Sequence, residues 1–180
     1  YRFTSTRVPE AASFLGSLID DSDPVRVTLV HGDYSPKNIL VHAGRLILID
    51  HEVIHFGDPA FDLGFSMAHL FSKAHHLERR RPAFIAAIRS YWSAYRERIA
   101  GVPWARTLEA RAVRHTLGCL LARVAGRSQL EYLTPPERLR QRVIVVELMQ
   151  RPDRSFAELL DAWTERLERF PGALEPRDQP

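Results

Sequence analysis

From Pro59 onward the chain is written in one period. Apolar residues recur every three or four positions, and the pattern breaks at Gly101-Val102-Pro103 and Pro135-Pro136. The spacing predicts helices over about 59–77, 81–100, 105–125, 135–150 and 155–170. In the third, Leu108, Ala112, Leu117, Leu120, Leu121 and Val124 form one apolar stripe. Ser155, with Glu158 three residues on, has the spacing of a capping box. Such a chain must bury helix against helix, and its 180 residues suffice for one domain with a real core.

The first 58 residues are patterned differently. "PEAASFLGSLIDD" places Phe14, Leu15, Leu18 and Ile19 at helical spacing, with Pro9 at a first turn. "VRVTLV" is β-branched and alternating, which predicts a strand. "HGDYSPKN" reads as a loop, because Gly32 and Pro36 break regular structure. "ILVHAGRLILID" reads as a hairpin around Ala43-Gly44-Arg45, and "HEVIHFGDP" as a second loop. The expected fold is α+β, mainly α: a small β-hairpin region feeding a helical bundle. Residues 1–180 form one domain, with 1–58 β-rich and 59–180 helical. No apolar run approaches the ~20 residues of a membrane span. Cys119 lies in a helical apolar pattern and has no second cysteine to pair with, which fits a buried thiol in a reducing cytoplasm.

Residues 51–55, "HEVIH", spell the pattern of a zinc peptidase, in which two histidines on one helical face bind metal and the glutamate activates water. The flanking residues oppose that helix. "RLILID" is strand-like and runs straight into His51, and Gly57-Asp58-Pro59 ends any helix within two turns. His69, His75, His76 and Glu78 have no fixed relation to the pair as third ligands.

A different set surrounds that motif. Asp33 and Asn38 lie five apart on one loop, and Asp50 ends the hairpin that follows. Two carboxylates and an amide suit Mg²⁺, a hard cation that prefers oxygen donors. The spacing resembles the kinase catalytic loop, where an Asp accepts the proton of the attacking hydroxyl, an Asn five residues later binds Mg²⁺, and a downstream Asp binds it as well. "HGDYSPKNILV" followed by "LILIDHEVIHFGDPAFDLGF" resembles the aminoglycoside phosphotransferase and choline kinase-like superfamily. Its three blocks, His-Gly-Asp-x-x-x-x-Asn, Ile-Asp-x-x and Gly-Asp-Pro-x-x-Asp-Leu, occur in order between residues 31 and 65.

The resemblance implies the C-terminal lobe of a protein kinase-like fold and transfer of the ATP γ-phosphate to a small-molecule hydroxyl. It implies Asp33 as the base, Asn38 and Asp50 as Mg²⁺ ligands, and Glu52 as an outer or occasional metal contact. It implies that His31 braces the loop, that Lys37 touches a phosphate, and that Asp58 and Asp62 are structural, Asp62 starting a helix and bonding the loop. His51 stands where the family usually carries Trp, Phe, Tyr or Pro, a change expected to alter packing and not the reaction.

No G-x-G-x-x-G occurs, and neither lysine, Lys37 or Lys73, lies in a strand before the catalytic loop. The chain therefore reads as the C-terminal lobe of a larger phosphotransferase. A strand-rich nucleotide lobe of roughly a hundred residues is expected upstream. Alone, the lobe is expected to turn over little. Residues 1–78 hold six Lys+Arg against ten Asp+Glu, and residues 79–180 hold 19 against 12. With Arg111, Arg114, Arg123 and Arg127 in the helical half, a neutral or anionic acceptor is expected over a polycation. The net charge of +3 gives no case for nucleic acid. The alternatives are a non-catalytic kinase-like interaction module and, second, the zinc peptidase spelled by residues 51–55; a homodimer formed across an apolar face is a possible assembly of either.

Overall fold

The computed structural model describes residues 1–170, so the last ten residues of the expected domain lie outside it. Seven helices and four short strands run in the order α1 (Arg2–Arg7), α2 (Ala12–Ser22), β1 (Thr28–Val30), β2 (Ile39–His42), β3 (Arg45–Leu48), β4 (His55–Gly57), α3 (Pro59–His76), α4 (Arg81–Arg98), α5 (Ala105–Ala125), α6 (Pro135–Gln150) and α7 (Phe156–Arg169). The fold is α+β and mainly α. No described helix is long and apolar enough to cross a membrane.

Helix α3 begins where the sequence first allows it. Asp58 is its N-cap, accepting a hydrogen bond from the Ala60 N–H at 3.0 Å, and Pro59 follows at the first helical position, where no N–H is missed. Asp62 was expected to start this helix; it sits instead in the first turn, one turn past the cap. Helices α6 and α7 both open on capping boxes, Thr134 with Glu137 and Ser155 with Glu158. Each box satisfies two N–H groups that the helix end would otherwise leave bare.

The core is built around α3 and α5. Leu63, Met67 and Phe71 of α3 are buried with Leu108, Ala112, Leu117, Leu120, Leu121 and Val124 of α5. The two backbones approach closely at Gly64, where an added Cβ would stand 2.5 Å from the His115 Cβ. Trp163 of α7 closes the far end, edge-on to Phe71 with ring centroids 5.7 Å apart. Of the stripe expected on α2, Leu15 and Leu18 are buried while Phe14 and Ile19 stay half-buried.

The expected hairpin is present, with β2 antiparallel to β3 from Ile39↔Leu48 to His42↔Arg45. Its turn is the two residues Ala43 (φ 46°) and Gly44 (φ 73°), and Arg45 belongs to β3. Positive φ at both matches the right-handed twist of the strands. The "VRVTLV" strand is shorter than expected. Only Thr28–Val30 pairs, because its partner β4 has three residues. Helices α1 and α2 occupy much of the segment expected to be β-rich.

Candidate active site

Residues 31–38 connect β1 to β2 and are held from three sides. Asp62, reaching back from α3, accepts the His31 N–H at 2.5 Å on one carboxylate oxygen and the Gly32 N–H at 2.9 Å on the other. The His31 ring spans the loop: Nε2–H donates to the Ile49 carbonyl at 2.9 Å, and Nδ1 accepts from the Asp33 N–H at 3.3 Å. These partners select the Nε2–H tautomer. Gly32 has φ 81°, and a Cβ there would meet Val53 Cγ2 at 2.9 Å. Backbone conformation and space thus both require glycine.

The braced loop carries Asp33, Lys37 and Asn38. The Asn38 amide donates to the Asp33 carbonyl at 2.8 Å and to Asp33 Oδ2 at 3.0 Å. Lys37 Nζ lies 2.9 Å from the same Oδ2. Burial pushes the Asp33 pKa up, but the hydrogen bonds from Lys37 and Asn38 outweigh it and leave the carboxyl below its usual value. Asp33 is therefore an anion at neutral pH, gripped on one oxygen. Lys37 remains largely exposed, so its partner can change.

Asp50 reaches this loop through the hairpin. The Ile49 N–H donates to the Asn38 carbonyl at 3.0 Å, which extends the β2–β3 ladder one step beyond Ile39↔Leu48. Asp50, the next residue, is exposed and left-handed at φ 67°. With both amide hydrogens of Asn38 spent on Asp33, its oxygen is the atom open to a cation. The Asn38 side-chain oxygen, beside Asp33, and the Asp50 carboxylate are hard oxygen donors of the kind Mg²⁺ takes.

"HEVIH" is not a helix. His51 follows β3 and packs edge-on against His31 at 5.6 Å between centroids, Glu52 and Val53 form a turn, and His55 opens β4. No three His, Cys, Asp or Glu side chains gather as metal ligands among the described residues. The zinc reading therefore loses its geometry. Glu52 is exposed on the turn, and no hydrogen bond or ion pair ties it to Asp33, Asn38 or Asp50 among the described residues.

Asp58 is placed differently from the others. Besides capping α3, it takes two bonds from Arg111, from Nε at 2.9 Å and from Nη2 at 3.2 Å. It thereby fastens the start of α3 to α5. Local spacing carried no sign of this pairing, since 53 positions separate the partners. His69 lies seven residues past Asp62 on α3, two turns along the same face, and a helical wheel drawn from Asp62 reaches it. Beside the loop a cavity of ≈340 Å³ is lined by His31, Tyr34, Asp62, Tyr91, Tyr95 and Trp104. Burial raises the pKa of both Tyr91 and Tyr95, so these walls stay uncharged.

Against known proteins, a sequence profile of the phosphotransferase enzyme family matches residues 3–102. That stretch contains β1, the braced loop, the hairpin and all of α3. No curated protein matches the chain. With more than half of its residues matched and the three motif blocks inside the match, the chain belongs to the phosphotransferase enzyme family.

Proposed function

We propose that the chain carries the catalytic half of an ATP-dependent kinase for the hydroxyl group of a small molecule. The observation that supports this reading best is the pairing of an ionised Asp33 with Asn38 on a loop fixed by Asp62 and His31. Asp33 orients the acceptor hydroxyl and takes its proton as the oxygen attacks the γ-phosphorus. The bond from the γ-phosphorus to the bridging oxygen breaks, and ADP leaves with the electron pair. Asn38 and Asp50 would hold Mg²⁺, which when bound neutralises phosphate charge. Lys37, exposed and paired with Asp33, is free to turn to the transferred phosphate once the acceptor hydroxyl replaces it on Asp33.

We also propose that a nucleotide-binding lobe covers the hairpin. Leu40, Val41, Leu46 and Ile47 are exposed along β2 and β3, an apolar surface suited to a covering partner. Calorimetry with Mg-ATP tests the division of labour: the isolated chain binds weakly, in the millimolar range or above, and micromolar affinity overturns it. The function itself is tested by ADP release over a panel of hydroxyl compounds, with the upstream coding sequence restored. Asp33→Asn lowers kcat by about 10³-fold or more; undiminished turnover in that variant overturns the assignment.

A further inference from the structure

The arginines of the helical half are unequally engaged. Arg111 is bound to Asp58, Arg114 to Asp21 at 2.5 Å, and Arg142 to Glu10 at 2.8 Å. Each pair joins the basic helical half to the acidic N-terminal half, so part of the charge asymmetry in the sequence is consumed in tying the two together. Lys73 and Arg123 differ. Neither has a carboxylate within ion-pair distance among the described residues, although both are only partly exposed.

Their surroundings are aromatic. Lys73 Nζ stands 3.5 Å over the Tyr132 ring, and the Arg123 guanidinium 4.6 Å over the Phe65 ring. Arg123 spends one N–H on the Ser128 carbonyl at 2.9 Å. Phe65 and His69 pack edge-to-face with centroids 5.4 Å apart. Phe65, His69 and Lys73, spaced four apart, follow one face of α3, with Arg123 of α5 and Tyr132 beside it. On that face the His69 Nε2 is buried without a hydrogen-bond partner. A buried polar atom left unpaired is costly, and in its Nε2–H tautomer this neutral ring donates to an anion that the two cations attract. The face lies within electrostatic reach of the braced loop, since Arg123 stabilises the Asp33 charge and Arg123, Asp33, Lys37 and Lys73 all act on the His69 ring.

We propose that this face of α3 is the specificity subsite of the acceptor and binds an oxyanion, a carboxylate or a phosphate ester, through Lys73, Arg123 and the His69 ring, so that the acceptor's hydroxyl is presented to Asp33. The inference rests on the phosphotransfer reading for the fate of that hydroxyl, but the binding it asserts needs neither nucleotide nor metal. An amine-rich acceptor meets only repulsion from these two cations.

The test titrates the chain, without nucleotide or metal, with glycerol 3-phosphate, glycerate, glycerol and choline. Binding is followed by calorimetry and by the ring-proton resonance of His69. One or both anions bind and shift that resonance, the stronger of the two identifying phosphate or carboxylate; glycerol and choline do not. Lys73→Met weakens anion binding about ten-fold, the loss of one charge-assisted hydrogen bond. Lys73→Arg retains it, and so does Arg89→Met, which removes one charge from a pair with Asp161 elsewhere. Binding of choline in preference, absence of binding by both anions, or equal weakening in Arg89→Met overturns the proposal. Asp33→Asn abolishes transfer and leaves anion binding in place, so the two readings fail separately.

Discussion

Replacing Asp62 by asparagine tests what holds the catalytic loop. The two side chains have the same shape, but the carboxylate accepts from two backbone N–H groups, His31 at 2.5 Å and Gly32 at 2.9 Å. Asparagine has one acceptor oxygen, so one of those amides then faces an NH₂ group, donor against donor. Each charge-assisted bond is worth about 1.5 kcal/mol at the low end, fitting for a half-buried group, and the neutral bond that survives returns about 1 kcal/mol. The amide left unsatisfied costs about 1 kcal/mol more. The net local loss is about 3 kcal/mol, which corresponds to about a hundred-fold larger open population of the loop. Native-state amide exchange on ¹⁵N-labelled protein reads this directly. The His31 and Gly32 amides lose about a hundred-fold of protection, while core amides of α5, such as those of Leu117 and Leu120, report any global change. If the loop amides exchange as in the wild type, or fall only as far as those of α5, Asp62 is not what fixes the loop.

Acid weakens the fold in a defined window. Burial holds His69, His75 and His115 at about 4, against 6.5 for an exposed histidine. The unfolded chain therefore takes up the extra protons between those values, and stability complete above pH 6.5 is lost as pH falls toward 4, by about 1 kcal/mol per pH unit for each histidine. Urea midpoints that stay level between pH 7 and 5 contradict this. Gly64→Ala drives a Cβ to 2.5 Å from the His115 Cβ and 2.7 Å from the Thr116 nitrogen, and destabilises by about 3 kcal/mol in thermal or urea melts. Gly16→Ala meets nothing within 4 Å and raises stability by about 0.5–1 kcal/mol. Asp50→Gly relieves a left-handed residue at φ 67° and gains about 1 kcal/mol in the same melts, yet Mg²⁺-dependent ATP binding by the chain weakens further in calorimetry.

The helices were readable because their limits are chemical. Proline and glycine mark the gaps, and α5 and α6 begin and end where the period predicts, Ala105–Ala125 and Pro135–Gln150. The β4 strand was not readable, since three residues carry no alternation and His55–Gly57 is a strand only through its pairing with β1. Helix α1 has six residues and no side-chain cap, too short for a period to show. At the site, local spacing put Asp33 and Asn38 on one loop, where they are hydrogen-bonded, and Asp50 at the end of the adjoining hairpin. It had no access to Asp58–Arg111, and the arginines of the helical half are divided by tertiary structure into paired and unpaired members.

The zinc-like letters acquire a physical explanation once the loop is understood. Asp50 turns left-handed and takes the chain out of β3, which sets His51 against the His31 ring. Val53 fills the space that a side chain at residue 32 would need, and its carbonyl contacts His55 Nδ1 at 3.0 Å. His55 then pairs with Val30 and returns the chain beside the strand that leads into the loop. The segment from 50 to 55 is thus a bed for residues 31–33, with Asp62 pinning them from the other side. An L-residue held at positive φ costs about 1 kcal/mol or more and persists where its surroundings impose it. Here the imposed residue is Asp50, which follows Ile49, whose N–H bonds the Asn38 carbonyl. A glycine at 50 would make the same turn without strain and would present no oxygen. Exchanging Asp50 for glycine therefore separates the conformational demand of the turn from the use of its carboxylate.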